Sequence, residues 1–175
     1  MLPYLFLLLA VAVRFMPHPF TFTPVAAALL FWGARRSRRQ LWIPVAVLAV
    51  SDLLLDKFVY AYAFKWDLVV TWAWYAAIVL LGTEVGKRIT PLRVIGASLT
   101  SSISFFLLSN FAVWAAYDMY PKNVGGLMTS YTLGLPFFRN ALEGDLLFTS
   151  VMFATPVLLH ALNNAVGKSD HIAAA

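Results

Sequence analysis

The chain has 175 residues, of which 61% are hydrophobic and only 12% charged, and its mean hydropathy is +0.77. Soluble domains carry about a quarter charged residues, so this composition excludes an ordinary water-soluble globule and makes lipid the expected solvent. The net charge of +5 sits in short basic clusters between apolar runs, the pattern of cytoplasmic loops, so no nucleic-acid partner is expected. The absence of cysteine excludes disulfides and thiolate metal sites. The length suits one integral-membrane domain over residues 1–175.

The first apolar run, Leu2 to Phe15, resembles the core of a signal peptide but lacks a basic start and an Ala-x-Ala cleavage site. It is read as a retained first helix. Three prolines between Met16 and Pro24 then break the chain. A second helix is expected from Phe22 to Gly33, with Thr23 as N-cap and Pro24 at the first helical position. Arg35, Arg36, Arg38 and Arg39 follow at once and place this loop in the cytoplasm. A third helix, Leu41 to Leu55, ends at Asp52 and Asp56, one turn apart and therefore on one face. Lys57 to Trp66 has the aromatic character of an interfacial loop.

A fourth helix spans Leu68 to Val85, with Trp66, Trp72 and Trp74 as expected membrane-interface residues. Gly82 and Gly86 form a GxxxG, the spacing that allows close helix contact. Lys87, Arg88 and Arg93 make the second basic loop. A fifth helix runs from Leu92 to Trp114, with a row of small hydroxyls, Ser98 to Ser109, suited to close packing. Val124 to Phe138, Gly-rich and holding Pro136, is expected as a half-length helix on the outer side. A sixth helix covers Asp145 to Leu162, with a polar tail from Asn163 that is read as cytoplasmic. The expected fold is therefore an all-α bundle of about six transmembrane helices in the inner membrane, both termini cytoplasmic. This topology puts eight basic and two acidic residues inside, and five basic and six acidic residues outside, which reproduces the net charge.

Ionisable residues near a bilayer interior are costly and usually mark function. In this topology Arg14, His18, Asp52, Asp56, Asn110, Arg139, Asn140, Glu143 and Asp145 all fall at the outer ends of helices. They form either internal salt bridges or a polar pocket whose apolar walls include Trp114 and Phe138. No GxSxG, HExxH or phosphate-binding loop is present, so the chain is read as non-enzymatic, with no cofactor and no metal. His18, His160 and His171 lie far apart, and His160 is read as a helix-end residue. Trp32, Trp114, Tyr117 and Tyr120 are read as interface residues.

Four segments carry a resemblance: Pro19 to Ala27, Ser51 to Leu55, Ser109 to Trp114, and Pro136 to Asn140 continuing through Gly144-Asp145. Together they resemble an uncharacterised bacterial integral-membrane family whose pattern covers roughly residues 12 to 155. The layout is similar to the substrate-binding S-components of energy-coupling factor transporters. That similarity implies six helices, an outer ligand pocket and Ala-rich motifs that meet the transport module, for which Ala10-Val11-Ala12 and Ala26-Ala27-Ala28 are the candidates. The leading expectation is a transporter subunit that binds a small polar solute through Arg14, Asp52, Asn110, Trp114, Phe138, Arg139, Asn140, Glu143 and Asp145, with membrane-embedded partner subunits. Two alternatives stand beside it: an accessory subunit of a respiratory or photosynthetic complex, and a membrane enzyme using its carboxylates with a metal.

Overall fold

The computed structural model describes residues 1–17, 21–61 and 64–173, with side chains described as far as 165. Six α-helices follow in order: α1 Leu2–Arg14, α2 Val25–Arg35, α3 Trp42–Leu55, α4 Asp67–Lys87, α5 Pro91–Ala116 and α6 Val124–Ala173. A short 3-10 turn, Arg38–Gln40, precedes α3, and a π-helical turn, Asp56–Tyr60, follows it. Among the described residues there is no strand. Pro91 at the first position and the Thr90 hydroxyl, which accepts from the Arg93 amide at 3.4 Å, start α5. The expected cap on α2 is absent: Pro24 occupies the cap position and Thr23 makes no capping bond.

α2 is the axis of the bundle. Every residue from Val25 to Gly33 is buried, as expected of a helix that is apolar all round. It lies against α1, α4, α5 and α6. Its approach to α4 is backbone on backbone. A Cβ on Gly33 would overlap the Val79 carbonyl, one on Gly82 the Leu30 carbonyl, and one on Gly86 the Ala34 carbonyl. The GxxxG spacing in α4 thus serves close packing inside the chain. Trp32, expected at an interface, is instead fully enclosed, donating to the Gln40 carbonyl at 2.9 Å and meeting Tyr4 edge-on at 4.8 Å. Single-sequence hydropathy does not tell a helix facing lipid from one facing other helices.

Among the described residues, three helices are long and apolar enough to cross a membrane: α4, α5 and the stretch Val124–Ala165 of α6. Only 22–33% of their most apolar windows is buried inside the bundle, so most of that apolar surface faces outward. Leu80, Ile103, Leu107, Leu133, Leu147 and Val151 are all exposed. This is the surface of a protein whose solvent is lipid.

The expected half-helix and sixth helix are one continuous element. α6 runs through Pro136 and Pro156 without a break and carries on through most of the expected polar tail. Helices in lipid tolerate internal proline because neighbouring helices and hydroxyl side chains satisfy the freed carbonyls. α6 packs antiparallel to α5, as three levels show. The Tyr131 hydroxyl donates to the Leu107 carbonyl, Phe138 meets Phe106 at 4.8 Å, and Ser102 meets Asp145.

Candidate functional site

One cavity of about 310 Å³ opens where α1 and α3 end and α2 and α4 begin, halfway along α5 and α6. That position alone fixes the relative directions of the first four helices. The basic residues of the two loops, from Arg35 to Arg39 and from Lys87 to Arg93, lie at the opposite ends of α2 and α4.

The cavity is built around an ion pair distant in sequence. Arg14, on the last turn of α1, donates through Nη2 to Asp52 Oδ1 and through Nη1 to Ser51 Oγ at 2.6 Å. Asp52 is 5% exposed and takes two further bonds from α4, from Trp72 Nε1 at 2.9 Å and the Tyr75 hydroxyl at 3.3 Å. A buried carboxylate needs such saturation, because removing its partners leaves a bare charge in an apolar medium. Trp74, behind this pair, donates to Ser104 Oγ at 2.9 Å and packs against Phe105 at 4.8 Å. Trp72 and Trp74 therefore face inward, against the expectation that they mark the interface. Thr71 and Tyr75, one turn apart on α4, line the cavity as well, and in sequence nothing distinguishes them from ordinary packing residues.

Asp145 reaches the same cavity from α6. It is 7% exposed, and Oδ2 accepts from Ser102 Oγ at 2.6 Å. Oδ1 takes no hydrogen bond among the described residues. One turn back along α5 and one turn on along α6, Ser98 and Thr149 hold buried hydroxyls that are likewise without partners among the described residues. Asp56 lines the cavity from the π-helical turn beyond α3. Partial burial, then the Asp52 and Asp67 carboxylates, push its carboxyl above the ordinary value. Thr21 lines the rim in the left-handed region at φ 63°, unusual for a β-branched residue, and its hydroxyl donates to the Phe137 carbonyl at 2.5 Å.

The other expected site residues separate into two groups. Asn110 and Phe138 line a second cavity of about 270 Å³ between α5 and α6, which shares Thr21, Phe105 and Ala141 with the first. Gly134 is needed there, since a Cβ would strike the Asn110 amide. Arg139, Glu143, Asn140 and Trp114 line neither cavity. Arg139 and Glu143 are 80% and 55% exposed and pair with each other at 2.9 Å across one turn. Asn140 is half-buried beside them. Trp114 fastens the α5–α6 turn, donating to the Pro121 carbonyl at 2.9 Å. His18 lies outside the described residues, as do Pro19 and Phe20 of the resembling segments, and nothing is described of the His171 side chain. His160 is exposed on α6, 3.2 Å from Asn164. Ala26, Ala27 and Ala28 are buried in the core and offer no surface to a partner, whereas Ala12 on α1 is exposed.

Searches among curated proteins and among solved structures found no match. The sequence model of one family covers residues 1–166, nearly all of the bundle and every residue of both cavities. The chain belongs to that family of unknown function, DUF6580.

Proposed function

We propose that this chain is a non-enzymatic inner-membrane protein that binds a small polar solute in the cavity between Arg14, Asp52 and Asp145, as an S-component-like subunit of a transporter. The observation that carries the reading is the convergence itself. Five helices bring charged, hydroxyl and aromatic side chains, separated by up to 131 positions, to one space of about 310 Å³. Ligand sites take this form: apolar walls, a few placed polar groups and a volume of roughly 300–1,000 Å³. A bundle needing only stability gains nothing from a carboxylate such as Asp145 held in its interior. The positive-inside rule, applied to loops at the far end from the cavity, puts the mouth outside and both termini in the cytoplasm. Docking to a transport module would fall to α1 around Ala12, since the Ala26 motif is enclosed.

The accessory-subunit alternative draws support from one observation: Arg14 and Arg139, the cations of the outer cluster, are both paired within the chain. Stoichiometric co-purification with large membrane partners, and no solute, would favour it.

The native chain has no cysteine, so a single one reports cleanly on the cavity. Thr71→Cys in intact cells should react with a membrane-impermeant maleimide added outside, and a polar metabolite extract should slow that reaction. A cysteine there that reacts only after the membrane is opened to the reagent would reverse the proposed orientation. Labelling that no extract slows would count against a solute site.

A further inference from the structure

The charges around the cavity do not balance. Its lining holds three carboxylates, Asp52, Asp56 and Asp145, against one cation, Arg14. Arg14 gives both terminal nitrogens to Ser51 and Asp52, and Asp52 is filled by Trp72 and Tyr75. Arg14 and Asp52 balance each other, which leaves no cation of the cavity lining to answer Asp56 and Asp145. Asp145 keeps Oδ1 without a partner among the described residues although the residue is only 7% exposed. Asp56 makes no ion pair among the described residues. The wall beside them is aromatic, with Trp74 meeting Phe105 at 4.8 Å and Tyr75 at 5.9 Å.

We infer that the solute taken by this cavity is a small organic cation, a protonated amine or quaternary ammonium, whose charged end meets Asp145 while its carbon skeleton lies against Trp74 and Phe105. The inference rests on the cavity being a solute site. The chemistry is complementary on both counts. A carboxylate with an open oxygen accepts a charge-assisted hydrogen bond from an ammonium, and aromatic faces attract cations that have shed water. An anion of equal size would bring a like charge beside Asp56 and Asp145, and a neutral polyol would bring no countercharge to hold Asp145 ionised in the interior. Asp56, at the rim, adds to the field that draws cations inward.

The test is equilibrium dialysis of the detergent-purified full chain against an aqueous metabolite extract, with mass spectrometry of what the protein enriches. Wild type is expected to concentrate species bearing a protonated amine or quaternary nitrogen. Asp145→Asn, whose amide oxygen still accepts from Ser102, is expected to melt at or above the wild-type temperature and to lose that enrichment by roughly tenfold or more. Trp74→Leu should weaken it with no change in the charge class retained. Enrichment of anions or neutral polyols overturns the charge assignment and leaves the solute site standing, as does an enriched cation that Asp145→Asn binds equally well. No enrichment of any species overturns the solute site, and this inference with it.

Discussion

Two arginine–carboxylate pairs sit among the described residues, and they have little in common beyond their atoms. Arg14 and Asp52 come from different helices, 38 positions apart, with side chains 15% and 5% exposed. Arg139 and Glu143 lie one turn apart on one helix, 80% and 55% exposed. The first pair is a structural decision: α1, α3 and α4 must meet for it to form, and Trp72 and Tyr75 must turn inward to complete it. The second forms on any isolated helix of this sequence. The comparison teaches that spacing along the chain is a poor guide to a site in a helical bundle. Charges clustered in sequence serve the surface here, while charges scattered across it build the cavity.

The largest effect should come from cutting the buried pair. Arg14→Ala leaves Asp52 enclosed without its countercharge and should cost about 3–5 kcal/mol in thermal or chemical unfolding. Replacing both partners by Met and Leu should cost less than either single change. If the single variant melts as wild type does, Asp52 is not enclosed as described.

Next comes the axis on which that pair is mounted. Gly33→Ala forces α2 away from the Val79 carbonyl of α4 and should cost roughly 1–3 kcal/mol by overpacking, read as a lowered melting temperature. The same change at Gly96, whose added Cβ would meet nothing within 4 Å, should leave the melt unchanged or raise it slightly, since alanine is the better helix former.

Asp56 offers a smaller effect with a definite sign. Its carboxyl is pushed above the ordinary value, chiefly by burial and then by Asp52. The folded state therefore holds that proton more tightly than the unfolded chain does. Stability linked to it is present at low pH and is lost as pH rises through the carboxylate range. Asp56→Asn should thus raise the melting temperature at neutral pH and have no effect below the ordinary carboxylate value. A stabilising substitution at a cavity-lining acid is what a charge kept for a ligand predicts. The smallest effect belongs to Arg139→Ala, which should leave melting and solute retention where they were; loss of either would return the outer cluster to the centre of the account.

Much of the fold was legible in the sequence. Apolar runs located the helices to within a few residues, except where proline and glycine suggested a break inside α6 that the neighbouring helices make unnecessary. The basic loops fixed which helix ends lie together. What composition could not convey was which apolar surface meets lipid and which meets protein. Ala26 to Trp32 read as one more span and is the core. Trp72 and Trp74 read as an interface belt, whereas Trp74 lines the cavity and Trp72 donates to Asp52. Arg14, Asp52 and Asp145 were singled out because charge in an apolar run is expensive wherever it sits. Their meeting place depended on tertiary packing, as did the exclusion of Arg139, Glu143, Asn140 and Trp114 from it. Tyr75 and Thr71 carried no signal of their own, since a hydroxyl on an apolar helix is common and becomes informative only opposite a buried carboxylate.

The most direct test is native mass spectrometry of the gently extracted protein in three forms, wild type, Asp145→Asn and Arg139→Ala. The account predicts one retained small molecule per chain in wild type and in Arg139→Ala, and an empty Asp145→Asn that is still folded. A solute lost from Arg139→Ala but kept by Asp145→Asn, or an empty wild-type chain bound to stoichiometric partner subunits, would contradict it.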